Sequence, residues 1–119
     1  VLGVPVRVAT AGATLDPDRG RARVTRLPIH EHAFKTPTLR NVALTAPYMH
    51  NGAYATLEQV VDFYDRGGGA GIGIDLANQT LPPDPLRMTR GEKRALVAFM
   101  RALTDTTSVP GMGRGAVLA

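Results

Sequence analysis

The stretch Thr56-Leu57-Glu58-Gln59-Val60-Val61-Asp62-Phe63-Tyr64-Asp65-Arg66-Gly67-Gly68-Gly69 carries a helix from its start signal to its stop signal. Thr56 with Gln59 three residues on is a capping box, in which the side chains satisfy backbone N–H groups that the first helical turn leaves without partners. Leu57, Val60, Val61 and Tyr64 then recur at the i, i+3, i+4, i+7 spacing of one apolar face. The spacing predicts a helix from about Leu57 to Asp65. Gly67 to Gly69 end it and form a flexible exit, because glycine adopts left-handed backbone angles without the penalty of a Cβ.

Working outward, Thr89 and Glu92 repeat the capping box, and Leu96, Val97, Phe99, Met100 and Leu103 make a wide apolar stripe that predicts a second helix to about Leu103. Between the two, Gly71 to Arg87 holds Pro82, Pro83 and Pro85 and reads as a loop. Upstream, Leu39, Val42 and Ala43 predict a short helix over Thr38 to Leu44, stopped by Ala46-Pro47. Val1 to Val8 and Arg21 to Leu27 show no helical period and read as short strands or extended arms. The tail after Asp105 reads as a fraying end. These elements make an all-α fold class of short helices joined by long Gly/Pro-rich loops, in one domain spanning residues 1–119.

That architecture is short of core. The chain has 119 residues with 13 Gly, 9 Pro, 3 Tyr, 3 Phe and no Trp, and its apolar fraction is 44%. Loops this long cost more ordering entropy than a few short helices offset by burial. A flat apolar prosthetic group is one physical way to give such loops a packing surface. Val1 in place of Met suggests a processed chain or one cut from something longer.

Several function classes fall away. With no cysteine there is no disulfide, thiolate metal site, thiol catalysis or covalent haem attachment within this chain. No run of about 18 apolar residues exists, so no helical membrane span is expected. The net charge of +4 is concentrated early, where Arg7, Arg19, Arg21, Arg23, Arg26, Lys35 and Arg40 face only Asp16, Asp18 and Glu31. Nucleic acid is not the expected partner, since no aromatic residues interleave these arginines for base stacking. The glycine run matches no phosphate-loop pattern and follows a helix rather than a strand. No serine sits in a nucleophile elbow, and Ser108 lies in the tail. His30 and His32 flank Glu31 without a third ligand nearby and read as solvated. Met49 and His50 stand side by side after a Pro-Tyr turn. Both are able to ligate haem iron, and packing is the plainer reading for Met49.

The segment Phe34-Lys35-Thr36-Pro37-Thr38-Leu39-Arg40-Asn41-Val42-Ala43-Leu44-Thr45-Ala46-Pro47-Tyr48-Met49-His50-Asn51-Gly52 resembles the C-terminal haem domain of the bacterial di-haem cytochrome c peroxidase and MauG family. The likeness extends from about Gly20 to Thr104. It implies a cytochrome-c-like domain of a periplasmic oxidoreductase with two c-type haems. An N-terminal haem domain would meet hydrogen peroxide, and the haem near this segment would relay electrons to or from a small electron-transfer protein or a protein substrate.

By the same resemblance Lys35 and Arg40 approach haem propionates, and His50 is the catalytic candidate on a loop that moves between the haems. The backbone carbonyls of Thr45 and Pro47 match calcium ligands. Tyr64 occupies the position of the relay haem's axial ligand, which is Met in the peroxidases and Tyr in MauG-like members. A phenolate is a hard anionic donor and favours higher oxidation states, so Tyr64 tilts the expectation toward MauG-like chemistry. Without the family, Tyr64 reads as one more residue on an apolar helix face. The absence of a Cys-x-x-Cys-His motif leaves an alternative, a haem-free interaction module that binds a partner through its basic N-terminal arm.

Overall fold

Residues 1–6 and 13–105 are described by the computed structural model. The expected extended arm over Val1 to Val8 lies partly outside these residues, and the expected tail, with Ser108, lies wholly outside them. The elements are α1 (Ala22–Thr25), a 3-10 turn at Pro28–His30, another at Val42–Leu44, α2 (Leu57–Asp65), α3 (Gly68–Gly71) and α4 (Arg90–Ala102). Among the described residues there is no strand. Three isolated bridges join Pro5 to Leu15, Gly20 to Ala33 and Tyr48 to Tyr54.

Both capping boxes form as their sequences dictate. Thr56 Oγ1 accepts the Gln59 N–H at 3.2 Å and Gln59 Oε1 accepts the Thr56 N–H at 3.2 Å, with the equivalent pair at Thr89 and Glu92. The two helices pack through Leu57 and Val61 of α2 against Val97 and Met100 of α4. Each such side chain contributes about 1.5–3 kcal/mol by leaving water. Beside this contact Lys93 Nζ lies 3.1 Å from Asp62 Oδ1 and 2.9 Å from Asp65 Oδ2. Asp65 Oδ1 also accepts the Met88 N–H at 2.9 Å, which ties the entry of α4 to the exit of α2. The Met88 N–H and the Lys93 ammonium hold the Asp65 carboxyl below the usual carboxylate range.

Four expectations are corrected. The helix over Thr38 to Leu44 shrinks to the 3-10 turn, because Asn41 takes left-handed angles (φ 59°) to donate its N–H to the Leu103 carbonyl and accept the Asp105 N–H on Oδ1. Arg21 to Leu27 is not an extended arm. It forms the single turn α1, which buries Ala22 completely. The apolar stripe of α4 is narrower than its pattern, for Val97 and Met100 are buried while Leu96 and Phe99 stay exposed. Finally, the glycine run is no flexible exit. Gly67 ends α2 at φ 94°, and Gly68 and Gly69 are buried in α3.

Contact explains the glycines. The Gly69 N–H donates to the Leu2 carbonyl at 2.7 Å, so the N-terminal segment lies directly on α3. A Cβ on Gly69 would collide with the Gly3 backbone, and flexible side chains are not what it would meet. The Gln79 amide completes the arrangement by accepting the Ala70 N–H and donating to the carbonyls of Gly67 and Leu81. Gly69→Ala should therefore destabilise the chain by about 1–3 kcal/mol in urea unfolding. Gly91→Ala in α4, where the nearest atom to a new Cβ is Thr89 Oγ1 at 3.8 Å, should stabilise it by about 0.5–1 kcal/mol.

Candidate functional site

Tyr48 and Tyr54 close a loop on themselves, the Tyr48 N–H donating to the Tyr54 carbonyl at 2.7 Å. Inside it Met49 (φ 69°) and Gly52 (φ 71°) both take left-handed angles, and this tight path carries His50 outward. The His50 ring stacks on Phe34 with centroids 3.8 Å apart and planes 13° from parallel. Its Nε2 lies 3.3 Å from Asp16 Oδ1. Asp16 Oδ2 accepts from Asn51 Nδ2 at 2.9 Å, and Asn51 Nδ2 also donates to the Pro5 carbonyl. The imidazole is 18% exposed and the Asp16 carboxylate 17%.

This loop touches α2 at its base. Tyr54 packs on Phe63 at 5.3 Å between centroids, and Phe63 meets Tyr64 edge-on at 6.1 Å. Phe63 takes the buried position at 2% exposure, and Tyr64 is 37% exposed rather than turned fully into the core. In α2 the side chains that Val97 and Met100 of α4 cover are Leu57 and Val61, and Tyr64 stands beyond them at the last turn of the helix. Among the described residues no group hydrogen-bonds the Tyr64 hydroxyl. Partial burial pushes that phenol above its ordinary value, so it is neutral near pH 7 and becomes a phenolate only beside a strong cation.

The remaining candidates lie around this centre. Lys35 is exposed and lines a cavity of about 500 Å³ with Arg21, His30, Ala33 and Phe34. Since Phe34 is also the ring under His50, that cavity and the His50 loop share a wall. Arg40 Nη2 pairs with Asp105 Oδ2 at 2.6 Å. Thr45 Oγ1 donates to the Val42 carbonyl, and the Ala46-Pro47 peptide is cis. Among the described residues the carbonyls of Thr45 and Pro47 accept no hydrogen bond, and both residues are exposed. His30 Nδ1 is bonded to Thr25 Oγ1 and His32 Nδ1 to the Asp18 carbonyl, so the two rings have separate partners. Among the described residues no three His, Cys, Asp or Glu side chains gather as a metal site.

No family model matches the chain. Individual relatives do. It is 43% identical over 101 residues to cytochrome-c peroxidase IdrP1 of Pseudomonas sp. (strain SCT), an alignment covering 79% of this chain and 25% of that protein. Against the methylamine utilization protein MauG of Methylorubrum extorquens it is 35% identical over 88 residues, covering 74% of this chain and 24% of MauG. The chain belongs to the di-haem cytochrome c peroxidase and MauG family.

A solved MauG-like protein associated with microbial copper homeostasis superposes with a TM-score of 0.62 at 32% identity, over 87% of this chain and 33% of that one. The all-helical elements agree with a MauG-type, cytochrome-c-like fold. The chain spans about a quarter of the length of these curated peroxidase and MauG relatives. No helix among the described residues is long and apolar enough to cross a membrane.

Asp16 and Phe34 were not legible as partners of His50, being 34 and 16 positions away along the chain. The Asn51 amide, the Asp18 N–H and His50 together hold the Asp16 carboxyl below the usual carboxylate range. The unfolded chain therefore binds the Asp16 proton at higher pH than the folded one. The resulting stability is present above about pH 4 and is lost as pH falls through the lower folded value. Asp16→Asn should flatten the decline of unfolding free energy below pH 4, measured by urea titrations across pH, and should leave the curve above pH 6 parallel to that of the parent chain.

Proposed function

We propose that this chain is the relay-haem portion of a periplasmic di-haem c-type oxidoreductase that uses hydrogen peroxide, with Tyr64 as the MauG-like axial ligand. The observation that carries the reading is Tyr64 itself. It stands at the end of a short capped helix, half covered, with a phenol whose hydroxyl has no partner among the described residues. Such a group is placed to hold a cation, and a bound ferric ion would supply the charge that the raised phenol needs to release its proton.

The residues present suit a haem. Phe34, Leu39, Leu44, Tyr64, Leu96 and Phe99 are all large, apolar or aromatic, and at least 37% exposed. Surface of that kind is what a flat macrocycle covers, and eight buried hydrophobic residues are a small core for the described chain. Lys35 and Arg40 supply positive charge for propionates, Arg40 sharing its guanidinium with Asp105. The thioether anchors of a c-type haem require cysteines that these 119 residues do not contain. A bound haem supplies the electron transfer, and the side chains do the rest.

Tyr64 holds or releases one proton at its phenolic oxygen. His50 is oriented from two sides, by the Phe34 ring beneath it and by the Asp16 carboxylate, which accepts the proton on Nε2. An imidazole so held is oriented to pass a proton, and its loop would face the neighbouring haem domain. The Thr45 and Pro47 carbonyls, exposed on the same segment, are oxygen ligands of the hard type calcium prefers. The partner in electron exchange is a small electron-transfer protein or a protein substrate.

Tyr64→Met in the haem-loaded full-length protein should raise the reduction potential of this haem, on the order of a few hundred millivolts, because a neutral thioether replaces an anionic oxygen. Potentiometric titration followed by absorbance measures it. An unchanged potential and spectrum would remove Tyr64 as ligand and return Met49 or His50 to that role.

A further inference from the structure

Between α2 and α4, on the side away from Leu96 and Phe99, runs a groove of about 740 Å³ floored by Val97 and Ala98. Four cations line it, Arg90, Lys93, Arg94 and Arg101. Two are neutralised in place. Lys93 is held by Asp62 and Asp65, and Arg101 Nη2 lies 3.0 Å from Glu58 Oε1. Asp62 is already shared with Arg66 at 2.8 Å, which leaves no spare carboxylate in the groove. Among the described residues Arg90 and Arg94 make no ion pair.

Those two arginines work against the helix that carries them. Arg90 is the first helical residue, where the N-terminal end of the macrodipole disfavours a cation. Arg94 stands four residues on, and like charges at that spacing destabilise a helix. Helix stability therefore does not account for them. Four residues of helix set their backbone positions about 6 Å apart along the axis, and both line the same groove, a spacing that suits two carboxylates of an extended or helical segment.

We propose that this groove receives an acidic segment of a partner protein, with carboxylates paired to Arg90 and Arg94 and aliphatic stems lying on the Ala98 side of the floor. A nucleic acid suits the site poorly. No aromatic side chain lines the groove to stack a base, and Glu58 and Asp62 on the facing wall repel a phosphate chain. The inference goes beyond the haem reading, because it locates and gives a charge to the protein that exchanges electrons or is oxidised.

The probe is a fluorescein-labelled oligo-glutamate peptide, titrated with the haem-loaded full-length protein and followed by anisotropy at several salt concentrations. Binding should weaken as salt rises. The double variant Arg90→Gln with Arg94→Gln should lose about tenfold in affinity, as two partly exposed ion pairs predict. The control Arg23→Gln with Arg26→Gln, which removes the same charge from α1 and its exit, should bind as the parent does. Thermal unfolding of the groove variant should be unchanged or raised. The proposal is overturned if the α1 control weakens binding equally, if a DNA duplex displaces the peptide at lower charge concentration than the peptide itself, or if the groove variant unfolds at lower temperature. The readout does not depend on which residue ligates the haem, so failure here leaves the Tyr64 reading standing.

Discussion

The Lys93 ammonium lies between the carboxylates of Asp62 and Asp65, and the apolar contact of Leu57, Val61, Val97 and Met100 closes beside it. Asp65 is the residue that makes this contact structural for the whole site. It binds Lys93, it accepts the Met88 N–H, and its carbonyl accepts the Leu86 N–H, so one residue at the end of α2 fixes both α4 and the loop that leads into it. Tyr64 is its immediate neighbour. The direction of the phenol is therefore set by the same junction that joins the two longest helices.

A second consequence follows along α2. With α4 packed on Leu57 and Val61, the Phe63 ring meets Tyr64 and, through Tyr54, the loop closed by Tyr48 and Tyr54. That loop projects His50 toward Phe34, and Asn51 fastens it to Asp16 and Pro5. The N-terminal segment, the His50 loop and the helix exit bearing Tyr64 are thus three parts of one connected arrangement, although they are far apart in sequence. The exposed apolar side chains around it agree with a domain whose core is completed by something besides its own residues.

What the sequence discloses here is what local chemistry controls. The capping boxes at Thr56 and Thr89 act within three residues, and both helices begin where those motifs place them. The segment around Asn41 departs from its helical pattern because Leu103 and Asp105, more than sixty positions away, hold its backbone. Gly68 and Gly69 read as an exit because nothing nearby shows that Leu2 and Gly3 will pack on them. Tyr64 illustrates the same limit in the site. Its spacing puts it on the apolar face, yet how far it is covered depends on which side of α2 the later helix takes. The family likeness points to His50 and Tyr64 as candidates, whereas the contacts of Asp16 and Phe34 with His50, made across 34 and 16 positions, leave no local signature.

Family membership and the exposed phenol converge on one chemical claim, that α2 ends in an iron ligand. Resonance Raman spectroscopy of the ferric, haem-loaded full-length protein tests it most directly, using one sample with ordinary tyrosine and one with ring-deuterated tyrosine. Phenolate modes enhanced in the visible charge-transfer region, shifting on deuteration and vanishing in Tyr64→Phe, are the predicted result. A haem spectrum free of tyrosinate modes and indifferent to the label would contradict the account.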